Sequence, residues 1–153
     1  MNLHFQCIPF NQLTVHQLYE AMALRQEVFV VEQNCPYLDA DGKDQAGWHL
    51  LGKNEDDQLV AYARLLPKGV SYPEYPSIGR IVSAPNARGT GAGRALVREA
   101  IEACDRLFGK QPIKIGAQVY LLKFYQSFGF EPVGEEYLED GIPHISMIKK
   151  VQE

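Results

Sequence analysis

The segment Ile78-Gly-Arg-Ile-Val-Ser-Ala-Pro-Asn-Ala-Arg-Gly-Thr-Gly-Ala-Gly-Arg94 constrains the fold more than any other. An apolar run gives way to a loop, three alternating glycines and then a helical pattern. Glycines at 89, 91 and 93 remove side chains where backbone N–H groups must approach a ligand, and the helix they open adds its partial positive charge to those donors. Such a place binds phosphate. A chain that contains it needs a strand and a helix joined through that loop.

The rest of the chain fits this. Leu3, Phe5 and Cys7 alternate with His4 and Gln6, the period of a half-buried strand. Thr14 and Gln17 read as a capping box, and Leu18, Met22, Arg25 and Phe29 follow at helical spacing, so a first helix is expected from about Val15 into the 28–32 region. Pro36, Gly42 and three aspartates mark 35–44 as a loop. Trp48 to Lys53 and Leu59 to Leu66 read as a hairpin about the polar turn 54–57, and Ile78 to Val82 as a fourth strand after a proline-rich connection. From Gly91 to Leu107 apolar residues keep helical spacing. Ile113 to Ala117 reads as a short strand, Leu121 to Ser127 as a helix, and Phe130 to Tyr137 and Ile145 to Val151 as closing strands. The expected order is strand, helix, three strands, helix, strand, helix, two strands: a mixed α/β (α+β) sheet.

Composition excludes several classes. With 153 residues the chain has the size of one domain, expected to span 1–153. Its 46% hydrophobic and 22% charged residues are those of a globular protein. A net charge of −4 argues against a nucleic-acid partner, which needs a cationic footprint. Cys7, Cys35 and Cys104 are odd in number and far apart, so neither a disulfide framework nor a zinc site is expected. The N-terminal residues lack the apolar core of a signal peptide, and no apolar run approaches the ~20 residues that span a bilayer. The expectation is a cytoplasmic protein with no membrane partner and no metal.

Two nucleotide readings of the glycine loop fail. A dinucleotide fingerprint begun at Gly89 meets Arg94 where its last glycine belongs, and begun at Gly91 it meets Leu96. A Walker loop needs Gly-Lys-Ser/Thr after its four-residue spacer, which neither glycine supplies. What fits is Arg-x-x-Gly-x-Gly, as Arg88, Gly91 and Gly93. It resembles the pyrophosphate loop of the GNAT superfamily of N-acetyltransferases. A second segment, Gln118-Val-Tyr-Leu-Leu-Lys-Phe-Tyr-Gln-Ser-Phe-Gly-Phe130, is similar to that superfamily's later motif, with Gln118 where an Asn is usual. Leu24-Arg-Gln-Glu-Val-Phe-Val-Val-Glu-Gln-Asn-Cys-Pro-Tyr37, then Asp39-x-Asp-Gly and Asp140-Gly-Ile-Pro-His144, extend the resemblance to the bacterial ElaA branch and to essentially the whole chain.

The resemblance implies a mostly antiparallel sheet of about six to seven strands, flanked by about four helices and splayed between strands 4 and 5. It implies acetyl-CoA as co-substrate and direct transfer to an amine acceptor. Ile81, Val82 and Ser83 would pair with pantetheine through their backbone. Arg88, Gly89, Thr90, Gly91, Ala92 and Gly93 would hold the pyrophosphate, and Arg94, Gln118 and Phe124 would complete the cofactor site. Tyr125 would be the general acid. No residue stands out as the base; His144 and His49 have suitable intrinsic pKa values and Glu32 is a carboxylate at the edge of an apolar segment, with His144 ranked first and Glu32 second, and a water chain is the alternative. Two other readings stay open: a non-catalytic acyl-CoA-binding or sensing module, and an acyl-homoserine-lactone-synthase-like enzyme, which shares the Leu24-Arg-x-x-Val-Phe-Val start. A homodimer through an exposed terminal strand and a capped edge are both compatible with the sequence.

Charge is unevenly placed. Residues 80–98 hold Arg80, Arg88, Arg94 and Arg98 and no acid, whereas 32–57 hold seven acids against Lys43 and Lys53. The basic stretch is expected to face CoA phosphates, and the acidic one either to attract a cationic amine or to be a solvated loop. Asp39, Asp41 and Asp44 do not fit a calcium loop, because Tyr37 and Trp48 fall where carboxylate ligands are needed. Arg25 and Arg80 are expected to be structural ion-pair partners, with an acidic substrate group as the other option.

Overall fold

The fold is described for residues 2–152 of a computed structural model. Seven strands form one sheet: β1 (His4–Pro9), β2 (Trp48–Lys53), β3 (Leu59–Leu66), β4 (Ser77–Ser83), β5 (Ile113–Gln118), β6 (Phe130–Glu139) and β7 (Ile142–Lys149). Their spatial order is β1-β2-β3-β4-β5-β7-β6, antiparallel except for the β4–β5 pair. Three α-helices accompany it, α1 (Val15–Arg25), α2 (Ala92–Phe108) and α3 (Leu122–Gln126). Element order follows the sequence expectation throughout. The first helix changes character part-way: after Arg25 the chain continues as a π-helical segment over Gln26–Glu32. This segment supplies the fourth helical piece and delivers Phe29, Glu32 and Gln33 to the cleft described below.

Strand alternation divides the core. On β3, Ala61, Ala63 and Leu65 face α2, where Leu96, Val97, Ala100, Ala103 and Cys104 are buried with them. Val60 and Tyr62 face the other side and pack with Ala21, Leu24 and Val28. Full burial of Leu96 and Val97 contributes about 1.5–3 kcal/mol each. At the start of α1, Thr14 Oγ1 accepts from Gln17 N–H at 3.1 Å and Gln17 Oε1 accepts from Thr14 N–H at 2.9 Å, the expected capping box. Cys7, Cys35 and Cys104 are all free thiols. No helix among the described residues is long and apolar enough to cross a membrane.

Two irregularities create an opening in the sheet. Tyr62 pairs with Val82 while Arg64 pairs with Gly79, so Arg80 and Ile81 together oppose the single residue Ala63. Arg80 carries the extra residue in left-handed backbone, φ 51°. This bulge reverses side-chain parity: Ile78 lies on the α2 side and Val82, four residues on, lies on the α1 side. The second irregularity is at β4–β5, where only Ser77 and Lys114 are paired and the strands then separate.

Candidate active site

The separation of β4 and β5 opens a cleft of about 1150 Å³. At one end lies the start of α2. Gly89 (φ 77°) and Gly91 (φ 85°) adopt left-handed backbone that a Cβ would strain. Gly91 is the N-cap, makes no side-chain cap bond, and is followed by no acid in the first turn, so the leading N–H groups of a 17-residue helix remain available to an anion. The Thr90 hydroxyl donates to the Ala87 carbonyl and tightens the loop. Ile81, Val82, Ser83, Arg88, Gly93, Gln118, Phe124 and Tyr125 line the cleft, together with Glu32 and His144. Gly89, Thr90, Gly91, Ala92 and Arg94 lie outside its wall. Ala92 is buried beneath the loop, and the Arg94 guanidinium stacks over Phe124 and Phe128 at 5.8 and 5.5 Å.

Tyr125, on α3, is 6% exposed and wedged between Phe124 and Phe130, each edge-on to its ring. Burial, aided by the neighbouring Tyr120, pushes its pKa well above the ordinary phenol value, so the hydroxyl keeps its proton at neutral pH. His144, on β7, is 8% exposed and stacks on Tyr137 at 5.8 Å. Its Nδ1 lies 2.7 Å from the Ile142 carbonyl, which can only accept, so Nδ1 donates there and Nε2 is the nitrogen left to face the cleft. Glu139 Oε2 lies 3.4 Å from Nε2. Gln118 donates to Gln33 Oε1 at 3.4 Å, tying the end of β5 to the π segment.

Glu32 sits at the α2 end of the cleft, its carboxylate 2.6 Å from Arg88 Nη1. His49 lies elsewhere, 1% exposed, between the Tyr62 hydroxyl at 2.7 Å and the Asp44 carbonyl at 3.0 Å. It is not among the cleft residues. Burial, reinforced by nearby arginine charge, holds its pKa below the usual histidine value and keeps it a neutral structural group.

The loop aspartates do not form an open acidic attractor. Asp39 pairs with Arg25 (2.7 Å) and Arg80 (2.8 Å), Asp44 with Arg25 (2.7 Å) and Arg64 (2.9 Å), and Asp41 with Arg64 (2.8 Å) and Arg80 (3.3 Å). Three carboxylates are matched by three guanidinium groups. This corrects the expectation that these acids draw in a cationic amine, and makes Arg25 and Arg80 structural partners as expected. Against the burial that would raise it, the Arg64 guanidinium holds the Asp41 carboxyl well below the usual range. Sequence reasoning missed this network's effect on the site: Arg80, tied to Asp39 and Asp41 and stacked over Tyr37 at 5.6 Å, pins the β4 bulge. Lys43, Tyr72, Tyr137 and Glu139 also line the cleft and carry no local motif.

A bulged β4, a splay at β5 and an uncapped helix start together form one cleft with an anion site at its end, and likeness to known proteins places this arrangement among the acyl-CoA-type transferases. The acetyltransferase (GNAT) domain model matches residues 10–151, and the chain belongs to the GNAT acetyltransferase family. It is 46% identical to protein ElaA of Escherichia coli over 97% of both chains, and 48% identical to a UPF0039 protein of Synechocystis sp. over 99% of this chain and 97% of that one. The crystal structure of E. coli ElaA superposes with a TM-score of 0.90 at 44% identity, covering 97% of this chain and all of the other. An acyl-CoA N-acyltransferase from Pseudomonas aeruginosa is similar at TM-score 0.90 and 43% identity, over 97% of this chain and 99% of its own.

Proposed function

We propose that this protein is an acetyl-CoA-dependent N-acetyltransferase that passes the acetyl group directly to a primary amine, with residues 1–153 acting as one domain in the cytoplasm. The observation that carries the reading is the cleft itself. A single opening runs from the uncapped start of α2, past the bulged edge of β4, to Tyr125 and His144.

The residues present fit CoA. The free N–H groups at the start of α2, with Arg88, suit a pyrophosphate. Gly93 keeps that approach open: a Cβ there would only touch Ser83 Oγ at 3.8 Å and Phe124 at 3.9 Å, so its absence widens the passage rather than relieving strain. Ile81 to Ser83 offer backbone groups along the splayed edge of β4 to the pantetheine amides. Acetyl-CoA supplies the activated acyl group as a thioester.

The chain's own groups then divide the proton work. A backbone N–H at the β4 bulge stabilises charge on the thioester oxygen. His144 Nε2 takes a proton from the acceptor ammonium, which frees the amine lone pair to attack the thioester carbon; Glu139 stabilises the imidazolium that results, and the nitrogen gives up its second proton to solvent as the C–S bond breaks. Tyr125 gives its hydroxyl proton to the departing sulfur. Glu32 sits beside Arg88 at the anion end of the cleft, which leaves His144 as the better base.

Thiol release from acetyl-CoA across a panel of amines tests the reading. The expected result is amine-dependent release; tight CoA binding with no release for any amine would instead identify a non-catalytic acyl-CoA-binding module.

A further inference from the structure

We infer that the acceptor is a zwitterion, an amine that also carries a carboxylate, bound between a basic and an acidic pole on opposite walls of the cleft. This rests on the transferase reading and specifies its substrate class.

The two poles differ in how their charges are paired. On the β1–β4 side, Arg25, Arg64 and Arg80 are matched one for one by Asp39, Asp41 and Asp44. Lys43 remains. Its ammonium donates to the Ser71 hydroxyl at 3.1 Å, and no carboxylate lies in ion-pair range of it among the described residues. Both Lys43 and Ser71 line the cleft, so a cation with a neutral hydroxyl partner faces the substrate space. Across the splay, on the β5–β7–β6 side, the imbalance is reversed. Among the described residues, Glu139 has the His144 imidazole, at 3.4 Å, as its one basic partner, and Asp140 has no cationic partner. Both line the same cleft.

Gly116 joins the poles. A Cβ on this β5 residue would lie 2.8 Å from the Tyr137 hydroxyl and 3.6 Å from the Tyr72 hydroxyl, so both phenols converge over one point of the cleft floor. Tyr72 follows Ser71 directly in the chain, whereas Tyr137 stacks on His144. The basic and acidic poles are therefore ends of one continuous site. Burial raises the Tyr72 phenol to about 12, so it stays a hydrogen-bond donor at neutral pH, suited to a carboxylate oxygen. An acceptor laid across this floor places its ammonium at His144 and Glu139, where the proton must leave. Its carboxylate then lies at Lys43, Ser71 and Tyr72. An amine without the carboxylate leaves the Lys43 ammonium unmatched, and a site built for a polar group discriminates strongly against a ligand that lacks it.

The test measures thiol release from acetyl-CoA with free amino acids, their carboxamides and the corresponding decarboxylated amines. At least one free acid is expected to exceed both of its counterparts in kcat/KM by ~10-fold or more. Lys43→Met should lower that value by a similar factor, mainly through KM, while the carboxamide's value stays within about 2-fold and Lys43→Arg restores most of the loss. Carboxamides or decarboxylated amines used as well as the free acids overturn the zwitterion and leave the transferase standing. So does an equal loss for both in Lys43→Met. Absence of release with every acceptor overturns the transferase reading and this inference together.

Discussion

Arg80 is a non-glycine residue in left-handed backbone inside a strand, a conformation held only when its surroundings determine it. Here Asp39, Asp41 and the Tyr37 ring do so. Nothing local announces this: Arg80 sits in an ordinary apolar run, and its partners are about forty residues away. Ion pairing of the loop was legible as an option for Arg25 and Arg80, but the three-to-three matching with Arg64 requires strands that only the fold brings together. Asp44 is the junction, bonded to Arg25 Nη1 and Arg64 Nη1 at 2.7 and 2.9 Å. Asp44→Asn takes one of two carboxylate partners from each of Arg25 and Arg64, leaving them Asp39 and Asp41, and is expected to cost about 1.5–3 kcal/mol, read from the shift of a urea unfolding curve. A shift under ~1 kcal/mol would show that the network is not what holds the loop.

Among the elements, the start of α2 was the most readable, because left-handed glycines and a missing cap residue leave a direct trace in sequence. The π segment was not. Helical periodicity continues through Val28 and Phe29, and the switch from α to π spacing has no residue signature here. That switch matters because it carries Glu32 to Arg88. The carboxylate occupies a guanidinium that a pyrophosphate would also use, so CoA binding competes with an exposed ion pair. Removing the competitor by Glu32→Gln is expected to tighten CoA binding by about 2- to 5-fold in calorimetry, and to have no effect in an Arg88→Gln background. Weaker binding in Glu32→Gln would mean that the carboxylate supports the cofactor site instead.

For the whole molecule, the net charge of −4 described neither the matched interior network nor the polarity across the cleft. Element order was legible because most strands and helices carry their own pattern; the opening between β4 and β5 was known only through family resemblance, since a missing ladder has no pattern. The buried ionic core also sets the response to acid. His49 has its pKa depressed in the fold, so below the unfolded value of about 6.5 the unfolded chain binds the extra proton and stability falls. Asp41 and Asp44 are likewise depressed; their contribution is present above about pH 4 and is lost as pH drops further toward their folded values. The unfolding free energy should therefore decline from pH 7 to 5 and more steeply below 4; a rise between 7 and 5 would contradict this. The central claim, that the cleft holds acetyl-CoA with the Tyr125 proton aimed at its sulfur, is tested most directly by Tyr125→Phe. CoA affinity by calorimetry should stay within about 2-fold while turnover falls by ~10² or more. Full turnover in that variant would remove Tyr125 from the chemistry.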